Sequence, residues 1–297
     1  MKACALLIFC VYPLVADSDP LPISGKAGIS AERVATEDLE YYPFGAYVKL
    51  DYDGFDTFTP YTRLKYTGNR RIFDGLGNLE TIGVFDTYLG SEWDPNDNFS
   101  FDGFYRFGFG TNSYIAHEGS LGSTFTGISL ADFSVSANYV NASYIYPGTT
   151  TSLTMETISP DADISFHLTD SLLLPVGVEY TLIQYSTSDP YTVWTGHVGV
   201  DWDISDKFNI TSNIQGGRDS SNYTLWGFDA DISYKFWKAT TLTLSVDYIQ
   251  YVDPITLRGG KGKKSLSSGN TGGANNPLGS SDTFSYFTLG AEVSYAF

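Results

Sequence analysis

Three histidines, two cysteines and a one-sided set of carboxylates are the residues in this 297-residue sequence best equipped for chemistry. His117, His167 and His197 form neither an HExxH nor a His-x-His pair, so a metal centre is not expected. Cys4 and Cys10 both fall in an apolar leader, which leaves the remaining chain without disulfides, cysteine-bound zinc or a thiol nucleophile. No GxGxxG or GxxxxGK[ST] run occurs, so no nucleotide cofactor is expected, and no Ser–His spacing points to an enzyme. A net charge of −17 argues against nucleic acid as a partner. What remains is electrostatic. Asp163, Glu179, Asp201, Asp203, Asp229, Asp231, Asp247 and Glu292 all lie on the polar phase of alternating segments. Lys49, Arg63, Lys65 and Arg106 lie on the same phase earlier in the chain.

The segments that carry them have a period of two. From residue 161 onward, Ala162, Ile164, Phe166 and Leu168 alternate with Asp163, Ser165 and His167. Trp226, Phe228, Ala230, Ile232, Tyr234 and Phe236 alternate with Asp229, Asp231, Ser233 and Lys235. Such runs are strands with one apolar and one polar face. Composition fits: 22 Tyr and 20 Phe, with only 17% charged residues. Outside the leader, no stretch approaches the roughly 20 apolar residues of a transmembrane helix. ADISFHLTDSLLLPVGVEY (162–180) aligns without gaps on ADISYKFWKATTLTLSVDY (230–248), which reads as a repeated hairpin. In the first half, strands are expected at 43–53, 57–68, 79–93, 98–112 and 151–168. One uninterrupted phase from Phe125 to Tyr139 reads as a single long strand over 121–147. With six later strands this gives twelve, and fourteen is the alternative even number.

The ends give an address. Lys2 and the apolar residues 3–16, closing on Leu14-Val15-Ala16, read as a cleaved signal peptide over 1–16. Residues 17–41 read as a polar periplasmic lead-in and 42–297 as the barrel. The last strand alternates through Phe287, Leu289, Ala291, Val293 and Tyr295 to Phe297. Signal peptide, alternating strands and terminal Tyr295-Ala296-Phe297 together resemble a bacterial outer-membrane β-barrel protein of the porin-like kind. The resemblance implies an all-β, antiparallel up-and-down transmembrane barrel in the outer membrane. It implies outer-membrane lipid as surroundings, and Tyr295 and Phe297 as a signal read by the barrel assembly machinery.

In such a barrel the apolar face meets lipid. Trp226 to Phe236 spans about 25 Å of height, at about 3.3 Å per residue and about 40° of tilt, which matches an apolar band. Trp194, Trp202, Trp226 and Phe236 are then the expected aromatic girdles. The polar face lines a lumen, with an acidic wall opposite a basic one and a transverse field between them. Eight acids against four bases predict a passive, narrow, mildly cation-selective channel for ions or small polar solutes. A plugged barrel that works through its outer loops is the competing expectation. Arg258, Lys261, Lys263 and Lys264, in the Gly/Ser/Asn-rich run 253–282, are expected in an extracellular loop facing lipopolysaccharide phosphates.

Overall fold

A computed structural model describes residues 22–36, 40–73, 79–111, 113–145, 152–186, 189–252 and 283–297. The strands are β1 (Ile23–Thr36), β2 (Glu40–Tyr41), β3 (Phe44–Tyr52), β4 (Phe58–Phe73), β5 (Leu79–Asn96), β6 (Phe99–Gly110), β7 (Ile115–Ile128) and β8 (Ala131–Ile145). They continue with β9 (Ser152–Thr169), β10 (Leu172–Tyr185), β11 (Tyr191–Ser205), β12 (Phe208–Asp219), β13 (Thr224–Trp237), β14 (Thr240–Val252) and β15 (Thr283–Ala296). Each long strand pairs antiparallel with its neighbours in chain order, and β15 pairs with β1 to close the ring. The barrel has fourteen strands, and the two-residue β2 extends the ladder of β1 beside β3.

Fourteen is the alternative count, not the expected twelve. Two corrections make the difference. The segment 121–147 is not one strand: β7 and β8 turn back on each other at Ser129-Leu130. Phe125 pairs with Phe133, two odd-numbered residues, so the outward phase passes through the reversal unbroken. Nor is the stretch up to residue 41 only a lead-in, because β1 supplies a wall strand that pairs with both β3 and β15. Its outward residues Ala27, Ala31 and Ala35 give it too little apolar contrast for the periodicity to register. The expected signal peptide and the basic residues Arg258, Lys261, Lys263 and Lys264 lie outside the described residues.

The two ends of the barrel differ. At one end lie the start of β1, Phe297 and the two-residue turns 97–98, 129–130, 170–171, 206–207 and 238–239. At the other lie the strand ends Phe73 and Leu79, Ile145 and Ser152, Tyr185 and Tyr191, and Val252 and Thr283. We call these the turn end and the loop end. The repeated hairpins 162–180 and 230–248 both reverse at the turn end.

The seam is closed by backbone. Gly25 N donates to Phe297 O and Phe297 N donates to Gly25 O, each at 3.0 Å. A Cβ at Gly25 would stand 2.6 Å from the Lys49 carbonyl oxygen and 2.7 Å from the Phe297 ring, so a glycine is needed there. Burial is inverted relative to a water-soluble protein. Leu89, Leu121, Val135, Val178, Trp194, Ile214 and Leu289 are exposed, and all share the outward phase. Trp202, Trp226 and Phe236 face outward with them. Apart from Ala131 at the β7–β8 turn, the buried side chains point into the ring.

Candidate functional site in the barrel lumen

The register places every predicted lumen acid on the inward face. Asp163 lies on β9, Glu179 on β10, Asp201 and Asp203 on β11, Asp229 and Asp231 on β13, Asp247 on β14 and Glu292 on β15. Asp161 sits directly opposite Glu179, and Asp229 directly opposite Asp247, so like charges meet across the strands. Neutral donors relieve them. Asn213 Nδ2 donates to Asp229 Oδ2 at 3.0 Å, and Asn209 Nδ2 donates to Asp201 and Asp203 at 2.8 and 3.0 Å. Thr181 donates to Glu179 at 2.8 Å, and Ser136 donates to Asp161. His197 Nε2 lies 2.7 Å from Asp163, and His167 Nε2 lies 2.9 Å from Asp132. His117 faces outward, where its Nδ1 meets the Tyr105 hydroxyl at 2.5 Å.

The basic wall is not positive as expected. Lys49, Arg63, Lys65 and Arg106 face inward on β3, β4 and β6, but the same strands and β5 and β7 bring acids to them. Lys49 Nζ is 2.8 Å from Asp51 and 3.6 Å from Glu92. Arg106 Nε reaches Asp86 at 2.8 Å and its Nη1 reaches Glu118 at 2.5 Å, in a buried network that Asn138 joins through Glu118. Lys65 stands opposite Asp86. Arg63 packs over the rings of Tyr47 and Tyr88, at 4.4 and 5.6 Å from their centroids. Among the residues whose side chains are described, five inward bases on β3–β6 (Lys49, Arg63, Lys65, Arg70 and Arg106) are equalled in number by Asp51, Asp86, Glu92, Asp102 and Glu118 on β3–β7. The lumen therefore has a neutral half and an acidic half. These five acids share the phase of the bases, so the phase that singled out Lys49 or Arg106 also points to them.

Toward the loop end the inward face changes character. Val34, Ile82, Val84, Tyr114, Ala116, Ala142, Tyr144, Leu153, Val193 and Leu225 are buried, and they come from seven strands or their edges around the ring. Ile82, Val84, Tyr114, Ala116 and Ala142 form one cluster, with Met155 packed against it. Ile183, Tyr185, Tyr191, Ile249 and Tyr251 face inward at the same end. This collar was missed because alternation assigns the inward phase to polar residues. Its signal is the loss of contrast at strand ends, as in Leu182-Ile183 and in Tyr248-Ile249-Gln250-Tyr251, where both phases turn apolar. Outside the wall at this end, Arg33 and the Tyr42 hydroxyl both bond Glu40, which holds its carboxyl below the usual carboxylate range.

No protein-family model and no curated protein matches the sequence. Solved structures match the fold. The CymD monoaromatic hydrocarbon channel superimposes at a TM-score of 0.57 with 9% identity, over 93% of this chain and 88% of that chain. The toluene transporter TodX of Pseudomonas putida gives 0.51 with 10% identity, over 94% and 90%. A bacterial polysaccharide outer membrane secretin gives 0.55 with 8% identity, over 94% and 100%. At such identities the likeness is one of architecture: this chain has the closed antiparallel barrel fold that these transport proteins also have.

Proposed function

We propose that the chain is an outer-membrane channel that passes small apolar or amphiphilic solutes. The observation that carries this reading is the collar. A lumen lined at one end by buried aliphatic and aromatic side chains opposes bare ions while admitting molecules that leave water readily. The outward apolar face supports a membrane setting, since a soluble surface does not present so continuous an apolar belt. Fold neighbours that include a toluene transporter and a monoaromatic hydrocarbon channel point the same way. In this reading Trp194, Trp202, Trp226 and Phe236 supply the girdles, and Tyr295 and Phe297 carry the assembly address. The loop end faces outward from the cell, where the 253–282 run meets lipopolysaccharide.

A second reading, a narrow cation-selective pore for ions or small polar solutes, is favoured by the acidic half of the lumen. Uptake into proteoliposomes separates the two. Benzyl alcohol entering faster than a pentose, with little steady ionic conductance in planar bilayers, is the expected result. An ohmic, cation-selective conductance with no advantage for benzyl alcohol would favour the polar-solute pore. Neither uptake nor conductance would leave a closed structural barrel.

A further inference from the structure

We infer that the collar contains a binding site for an organic ammonium group, with Asp219 as its anion. The inference rests on the channel reading above and names the class of solute: a small amphiphile carrying a positive charge.

Among the described residues two carboxylates are buried, and they are treated differently. Asp86, at 2% exposure, is held by the Arg106 guanidinium. Asp219, at 8%, has no Lys, Arg or His nitrogen within 4.0 Å among the described residues. Its neighbour Arg218 pairs in register with Trp194 and so points out of the barrel. A carboxylate withdrawn from water needs a compensating charge or several donors. Asp219 has two: the Tyr191 hydroxyl donates to Oδ2 at 2.6 Å, and Tyr223 N donates to Oδ1 at 2.8 Å.

A turn-closing role explains only part of this. The bond from Tyr223 N helps to close the connection between β12 and β13, and an asparagine would accept it equally well. A charged oxygen turned toward a tyrosine inside an apolar ring is not needed for that task. The surroundings suit a cation with an apolar body. Val193 and Leu225 are buried beside Asp219, and Tyr251 stands opposite Leu225. Tyrosine rings receive an ammonium on their faces, the more strongly where water is excluded. Two residues toward the turn end, on the same inward face, Gly217 has no side chain of its own, and the Thr195 methyl lies over it, 2.9 Å from where a Cβ would stand. Farther toward that end, Asp229, Asp247 and Asp231 continue the negative potential along the wall. Collar and acidic half-wall, which seemed to favour different solutes, agree on one that is both apolar and cationic.

Three probes of one size test this: benzylammonium, benzyl alcohol and benzoate, by equilibrium dialysis against the full chain in nanodiscs of neutral lipid. Benzylammonium is expected to bind about tenfold or more tightly than benzyl alcohol, with benzoate weakest. The preference should persist between about 0.05 M and about 0.5 M salt, because a buried pair is little screened. In Asp219→Asn the ratio of benzylammonium to benzyl alcohol binding should fall to about one. An unchanged ratio in that variant, or a wild-type preference that vanishes in high salt, would overturn the site and assign the preference to the lower wall. Equal binding of benzylammonium and benzyl alcohol would overturn it while sparing the apolar channel. Binding of none of the three would remove both readings. If Asp219→Asn fails to show the heat-modifiable mobility of a folded barrel, the wild-type series at the two salt levels decides the matter.

Discussion

Across β3–β7, facing strands mix the two signs: Lys65 meets Asp86 and Arg106 meets Glu118, while Lys49 meets Arg63 and Glu92 meets Asp102. Across β9–β14 they repeat a sign: Asp161 meets Glu179 and Asp229 meets Asp247. Around Arg106 the first arrangement can be dry, because one guanidinium holds both Asp86 and Glu118. The second cannot, because like charges directly opposite destabilise a sheet unless water, neutral donors or mobile cations intervene. One wall of the lumen centres on a completed ion network at Arg106, and the other depends on what fills the barrel.

The comparison is broken most sharply at Arg106. Arg106→Met removes the guanidinium that bonds both Asp86 and Glu118, leaving Lys65 as the cation opposite Asp86, and is expected to cost about 3–5 kcal/mol in reversible unfolding from lipid vesicles. A cost below about 1 kcal/mol would mean that the neutral half does not rely on its pairs. Next in size is a test of the faces on which the comparison depends. Arginine placed at Ala230 or Val246, on the outward side, should cost about 2–4 kcal/mol near mid-membrane. The same change at Ser233 or Ser245, facing the lumen, should cost much less. Equal costs would reverse the face assignment. Smaller again, and opposite in sign, is relief of the acidic half. Asp229→Asn with Asp247→Asn should stabilise the barrel by about 0.2–1 kcal/mol. With Asp231→Asn added, any cation preference in a salt-gradient reversal potential should fall, and an anion-selective wild type would contradict the acidic-wall account. The smallest effect is expected at Lys49, whose partners Asp51 and Glu92 are partly exposed. Lys49→Gln should change stability by no more than about 1 kcal/mol, and less in high salt.

Much of the barrel could be read from the sequence where contrast between faces was high. Strands β9–β15, with Trp, Phe, Ile and Val set against Asp, Ser and Thr, declared themselves residue by residue. β1 did not, because alanines and one arginine make up most of its outward face. The β7–β8 turn stayed hidden for a geometric reason: a reversal that pairs two odd-numbered residues leaves the phase intact. Eight inward acids of β9–β15 were legible because charge on the polar phase has one meaning in a barrel, whereas Asp51, Asp86, Glu92, Asp102, Glu118 and Asp161 on the same phase were passed over. The collar was not legible, since an apolar residue on that phase reads as noise until register shows ten buried ones facing inward at one end, five of them in one cluster. Asp219 was silent for a related reason. It sits next to Arg218 in sequence, and only the alternation of the strand sends the two charges to opposite sides of the wall.

The bonds between Gly25 and Phe297 also impose an order in time. A chain made from its first residue onward holds β1 ready early, yet the partner for its free edge is the last strand to emerge. Until then β1 and whichever strand was completed most recently both present unpaired backbone, the arrangement most prone to joining another molecule. The cost of bringing such distant residues together grows only slowly with the length between them, so the wait, more than the distance, is the hazard. A chain halted anywhere before β15 has β3 against one edge of β1 but nothing against the other, and stays an open sheet.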